Sequence, residues 1–219
     1  MREGGSDGAG VVGGVDGEVR AAPPAPSHTG HTPPSWGTAD VPNPRLLRSL
    51  LEHVSAPAYV TDAATGVLAW NALASEVFGD YAAWPLQERN LLRLLFTQPA
   101  FATRLVDRDE YAARVVHTFR QRSRAHLQDP TVVALVEELG QRSSRFRLLS
   151  ESRELRRAGA DAPLVDHPAG RLAFTVLMFQ DVGPAGIRFN AYLPADPVSA
   201  DTTRAIGAAA ALNGPADRR

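Results

Sequence analysis

The chain has 219 residues, 44% hydrophobic and 21% charged, with a formal net charge of −1. That suits one domain with a real core, or at most a domain and a half. It has no cysteine, which excludes disulfides, thiolate metal sites and cysteine nucleophiles, and its near-neutral charge supplies no global basic field to recruit nucleic acid or anionic lipid. No apolar run approaches bilayer-crossing length and no apolar signal core follows Met1, so the expectation is a cytoplasmic protein without a membrane partner. All 23 basic residues are arginine, which together with the many alanines points to a GC-rich bacterial genome.

Residues 1–43 hold nine of the 18 glycines, six prolines and a single aromatic, Trp36. Such a segment buries too little apolar surface to offset the entropy of ordering it, and the composition predicts a disordered arm. The predicted folded region runs over 44–197. Alanine, glycine and a terminal Asp-Arg-Arg then suggest a flexible tail over 198–219.

Asn43-Pro44 reads as a cap with proline at the first helical position, and Leu47, Leu50, Leu51 and Val54 recur at helical spacing. Ala58–Thr61 and Val67–Trp70 are β-prone runs separated by a turn that ends in Gly66, which predicts a hairpin. Asn71 is placed to cap a helix bearing Leu73, Val77 and Phe78 and stopping at Gly79. The stretch ERNLLRLLFTQP predicts a short apolar helix ended by Pro99, followed by a longer helix from Phe101 to His126. Asp129-Pro130 opens another helix, and Ser143 or Ser144 caps one more, carrying Phe146 and Leu149.

The period then changes. Residues 170–180 and 187–194 read as strands. The first is apolar on both faces and is expected to be central and covered on both sides. In the second, Ile187, Phe189, Ala191 and Leu193 alternate with Arg188, Asn190 and Tyr192, and the apolar set is expected to face inward. The order of hairpin, helices and strands predicts an α+β fold with an antiparallel sheet and helices packed on one side.

The sequence holds no G-x-S-x-G, H-E-x-x-H, P-loop or G-x-G-x-x-G motif and no nucleophile–base pair; of its six scattered histidines His28 and His31 sit three apart, but in the glycine- and proline-rich arm, where a solvated linker is the first reading ahead of a metal site. The expectation is a chain that is not an enzyme and has no metal or cofactor. The arginines between Arg142 and Arg157 interleave with Glu151 and Glu154 and read first as a solvated face, with a partner or phosphate surface as the minority reading.

Three segments together carry a resemblance: PAYVTDAATGVLAWN, FGDYAAWPLQERNLLRLLF, and DHPAGRLAFTVLMFQ followed by IRFNAYLPAD. In this order they resemble the ligand-binding domain of MmyB-like transcription regulators, actinobacterial regulators of the XRE type, over roughly 44–197. The resemblance implies a PAS-like fold with an internal apolar pocket for a fatty-acid-like ligand. Such regulators usually carry a helix-turn-helix ahead of this domain, whereas residues 1–43 are too rich in glycine and proline to form that bundle, so no DNA binding by this chain alone is expected. Ser150 and Arg153 stand where the family commonly has a tryptophan and a histidine-acid pair.

The candidate ligand-binding side chains are Tyr59, Trp70, Phe78, Leu94, Phe96, Phe174, Val176 and Met178, with Leu95 beside them and Arg93 or Arg89 as the anchor for a carboxylate. The bland alternative is that the apolar ones only fill a core. The functional expectation is a ligand-sensing regulator domain. Its rival is a protein-interaction module that pairs with a full-length regulator or a second copy.

Overall fold

Asparagine side chains set the entry to the fold. In the computed structural model, which describes residues 43–124, 128–152, 163–180 and 186–212, the Asn43 side chain accepts from the Arg45 amide and starts α1 (Pro44–Glu52). Asn71 does more. Its Oδ1 accepts from the amides of Ala58 at 3.1 Å and Ala74 at 2.9 Å, and its Nδ2 donates to the carbonyls of Val54 and Ala56. One buried side chain thus caps α2 (Ala72–Phe78) and ties it to the junction between α1 and β1 (Ala58–Thr61). The hairpin is completed by β2 (Val67–Trp70), and its turn is closed by Asp62 Oδ1, which accepts from the Gly66 amide at 2.8 Å. A Cβ on residue 66 would collide with the Asp62 carboxylate, which is why glycine stands there.

Asn90 repeats the device. Its Oδ1 accepts from the Leu92 and Arg93 amides and the Thr65 hydroxyl, and its Nδ2 donates to the Ala64 carbonyl at 2.7 Å. It therefore caps α3 (Leu91–Thr97) and pins that helix to the hairpin turn. After α3 come α4 (Pro99–Ala102), α5 (Arg108–Arg122), α6 (Pro130–Arg142) and α7 (Ser144–Glu151), then β3 (Leu164–His167), β4 (Gly170–Gln180), β5 (Arg188–Pro194) and α8 (Pro197–Leu212). The sheet is wholly antiparallel, in the order β2-β1-β5-β4-β3. The α+β class with helices packed against an antiparallel sheet is as expected, and so are the hairpin and the capped starts at Asn43, Asn71 and Asp129.

Several expectations need correction. Helices do not lie on one side only. Most cover the face bearing Tyr59, Phe174 and Tyr192, but α1 packs on the reverse face against Ala58, Val60, Ala69 and Ala191. The expectation of one face in and one face out fails for β5, because both are covered. Ile187, Phe189 and Ala191 pack under α1, whereas Arg188, Asn190 and Tyr192 are buried on the opposite face, where a cavity takes polar groups. Nor is β4 covered on both sides. Leu177 is 41% exposed and Phe179 63%, because the α1 cluster draws only on β1, β2 and β5.

The long helix expected over 101–126 is broken between α4 and α5. There the Val106 amide donates to the Leu164 carbonyl and the Asp166 amide to the Arg104 carbonyl, so the chain pairs with β3, a strand the periodicity did not reveal. His126, at the end of that expected helix, lies outside the described residues, as do Arg153 and, except for Asn43, the 1–43 segment for which disorder was the expectation.

The flexible tail expected from 198 is, as far as Leu212, the helix α8. Asp196 accepts from the Ser199 amide at 2.7 Å and the Ser199 hydroxyl at 2.9 Å, so the helix is capped. Alanine is the best helix former, and Ile206 buries against the core, so alanine richness here means helix rather than low complexity.

Candidate functional site

Between the sheet and α2, α3 and α5 lies a cavity of about 440 Å³. Its wall on the sheet side comes from alternate residues of three strands, Tyr59 and Thr61 on β1, Asn190 and Tyr192 on β5, and Val176 and Met178 on β4. The register places Tyr59 opposite Asn190, and Asn190 opposite Met178, so these side chains share one face. The helical wall is Phe78, Leu91, Leu95, Tyr111, Val115 and Phe119.

Four tyrosines gather at this wall. The Tyr59 and Tyr192 hydroxyls are 2.7 Å apart, and the Tyr192 and Tyr111 hydroxyls 3.0 Å, a chain of three phenols with Tyr192 at its centre. Tyr81 packs against Tyr59 at 6.0 Å between ring centroids, and its buried hydroxyl has no hydrogen-bond partner among the described residues. Burial, reinforced by neighbouring phenols, pushes the pKa of all four well above the ordinary tyrosine value, so they act as neutral hydrogen-bonding groups.

Four arginines also border the cavity. Arg104 is engaged as a cap on α2, donating to the carbonyls of Glu76 at 3.0 Å and Val77 at 3.2 Å. Arg114 sits 5.4 Å over the Tyr111 ring. Arg188 donates one Nη1 bond to the Ala63 carbonyl, and Arg122 ends α5 on the same cavity. Asp62, in the hairpin turn, is buried, and burial pushes its carboxyl up to about 6 against the opposing pull of the Gly66 and Ala64 amides and of Arg188.

Of the side chains proposed from sequence, Tyr59, Phe78, Val176 and Met178 border the cavity, as does Leu95. Phe174 is buried behind it, edge-on to Tyr192 at 6.0 Å and against Phe78 at 6.3 Å. Leu94 is fully buried in the same core. Trp70 packs at a tilt against Tyr81 at 5.3 Å, with Arg89 over its ring at 5.8 Å, and supports the wall from outside. Phe96 belongs to a separate cluster beneath α5–α7, against Phe146 at 5.2 Å.

Arg93 is not among the residues that border the cavity. Its Nε and Nη2 grip both oxygens of Glu138 at 3.0 to 3.2 Å and 2.6 Å, so its charge is already satisfied. Burial alone would raise the Glu138 carboxyl, but hydrogen bonds from Arg93 and Arg142 outweigh it and hold the group below its ordinary range. Arg89 donates to the Trp84 and Ala82 carbonyls and also lies outside the cavity lining. The sequence reading missed Tyr81, Tyr111, Tyr192, Arg122 and Arg188 as cavity residues. The only signal was the alternation Arg188, Asn190, Tyr192, which standard patterning assigns to solvent.

Among the described residues no group of three or more His, Asp or Glu side chains is positioned to hold a metal ion, and no helix is long and apolar enough to cross a membrane. A family model described as the MmyB-like transcription regulator ligand binding domain matches residues 42–206. No curated protein matches the chain significantly.

Proposed function

We propose that this chain, which belongs to the MmyB-like transcription regulator ligand-binding domains, holds a small, mainly apolar, fatty-acid-like molecule in the cavity between its sheet and α2, α3 and α5. The single observation that carries this reading is the cavity itself. At about 440 Å³ it lies within the range of small-molecule sites, roughly 300 to 1,000 Å³. Its lining also has the composition of such sites, aromatic and aliphatic walls with a few polar groups at defined points. The strand order β2-β1-β5-β4-β3, with most of the helices crossing one face, supports a PAS-like description.

The chain works by binding rather than by catalysis, in the cytoplasm where a bacterial regulator meets its gene. A ligand there touches α5 and all three central strands at once, so its arrival favours the arrangement in which helix and sheet close on it. A ligand that binds only the folded chain raises stability by about 2.7 kcal/mol at a hundred times its dissociation constant. For a domain of this size that is a rise of roughly 5–10 °C in melting temperature. Thermal melts with saturated acids of increasing chain length test this. A concentration-dependent rise supports the reading, and no shift with any acid of the series refutes it.

A second reading has its own observation. Leu177, Phe179 and Leu193, the last 39% exposed, form an apolar strip on the reverse face of β4 and β5. Such a strip supports an interaction module that pairs with a regulator or a second copy.

A further inference from the structure

Arg188 enters the interior from β5, opposite Thr61 on β1 and Gln180 on β4. It is 3% exposed, and it borders the cavity. Its Nη1 donates to the Ala63 carbonyl at 3.2 Å, whereas its Nε and Nη2 are buried without a hydrogen-bond partner among the described residues. These two N–H groups lie on one edge of the planar guanidinium and point the same way. Elsewhere in this chain the same edge of Arg93 clasps the Glu138 carboxylate through Nε and Nη2.

The surroundings favour an anion at that edge. Arg122 borders the same cavity and has no hydrogen bond or ion pair with a described residue. Burial first, and then repulsion from Arg122, lower the pKa of Arg188. Asp62 attracts Arg188 but forms no ion pair with it, and its Oδ1 is occupied by the Gly66 amide. A buried guanidinium with unpartnered N–H groups beside a second cation is costly, and a planar carboxylate satisfies it bidentately.

We infer that Arg188, with Arg122 beside it, is the anchor for a carboxylate head group, so that the cavity selects an acid over a neutral molecule of the same chain length. This rests on the cavity being the ligand site. It moves the anchor from the α3 arginine suggested by sequence to the β5 arginine that borders the cavity.

The test measures the affinity of dodecanoate and of 1-dodecanol for the full chain by calorimetry, in wild type, Arg188→Gln, Arg122→Gln and Arg93→Ala. Wild type is expected to prefer the acid by about 10- to 100-fold, the value of a charge-assisted pair of hydrogen bonds. Arg188→Gln removes most of that preference and leaves the alcohol unchanged. Arg122→Gln lowers acid affinity by a smaller factor, also without touching the alcohol, and serves alone if Arg188→Gln does not fold. Arg93→Ala, held by Glu138, keeps the full preference. Equal affinity for acid and alcohol in wild type, or a preference left undiminished by the Arg188 change or by the Arg122 change, overturns the anchor while leaving an apolar site standing. Failure of both compounds to bind overturns the cavity reading and the anchor together.

Discussion

Replacing Tyr192 with phenylalanine isolates the phenol chain from everything else in the core. The substitution keeps the ring, and with it the edge-on contacts to Phe78 at 4.6 Å and Phe174 at 6.0 Å. It deletes only the hydroxyl that links Tyr59 at 2.7 Å and Tyr111 at 3.0 Å. Both partners then keep hydroxyls in the interior with this bond gone. A buried polar group stripped of its partner costs about 1–3 kcal/mol, so Tyr192→Phe is expected to destabilise by about 2–3 kcal/mol. Tyr59→Phe strands less, because Tyr192 still bonds Tyr111, and about 1 kcal/mol is expected. The double variant should cost less than the sum of the two, because the bond between them is counted in both single changes. Urea unfolding of the four proteins at one pH gives the coupling energy, expected at about 1 kcal/mol. Strict additivity, or a Tyr192→Phe chain as stable as wild type, would refute the view that the hydroxyls form a cooperative buried network.

The pH dependence of stability should carry the mark of Asp62. Its folded pKa, about 6, lies above the ordinary 3.8, so the folded chain binds the extra proton and stability falls as pH rises through that window. Asp62→Asn keeps an oxygen for the Gly66 amide and removes the penalty. It should gain about 2 kcal/mol over wild type above pH 6 and nothing near pH 4, and an equal effect at both pH values would contradict the raised pKa. Ile206→Ala should cost about 2–4 kcal/mol in urea unfolding, and a neutral result would show that α8 is not part of the core.

The parts of the fold that could be read from sequence are those governed by local chemistry. Asn43, Asn71, Asp129 and Ser143 each cap where a polar side chain precedes an apolar helical period, because the cap bond is made within three residues. The hairpin followed from two β-prone runs around Gly66. What escaped depends on distant partners. The strand β3 exists because β4 and the 104–106 segment flank it. The helix α8 is held by Ser199 bonding the Ala173 amide and by Ile206 in the core. The site was half legible for the same reason. Aromatic and aliphatic wall residues such as Tyr59, Phe78 and Met178 announce themselves by hydrophobicity, but Arg188 and Asn190 look like solvent residues until the sheet turns them toward a cavity. The motif asparagines that carried the family resemblance, Asn71 and Asn90, turn out to brace the scaffold around the site rather than line it.

One apolar-tailed ligand is expected to occupy the space between the sheet and α5. Native mass spectrometry of the full chain with dodecanoate tests it most directly when wild type is compared with Val176→Trp, which fills the cavity from the β4 wall. One adduct per chain is expected in wild type and none in a Val176→Trp chain that still unfolds cooperatively. No adduct in wild type, or an undiminished adduct in the folded Val176→Trp chain, would contradict it.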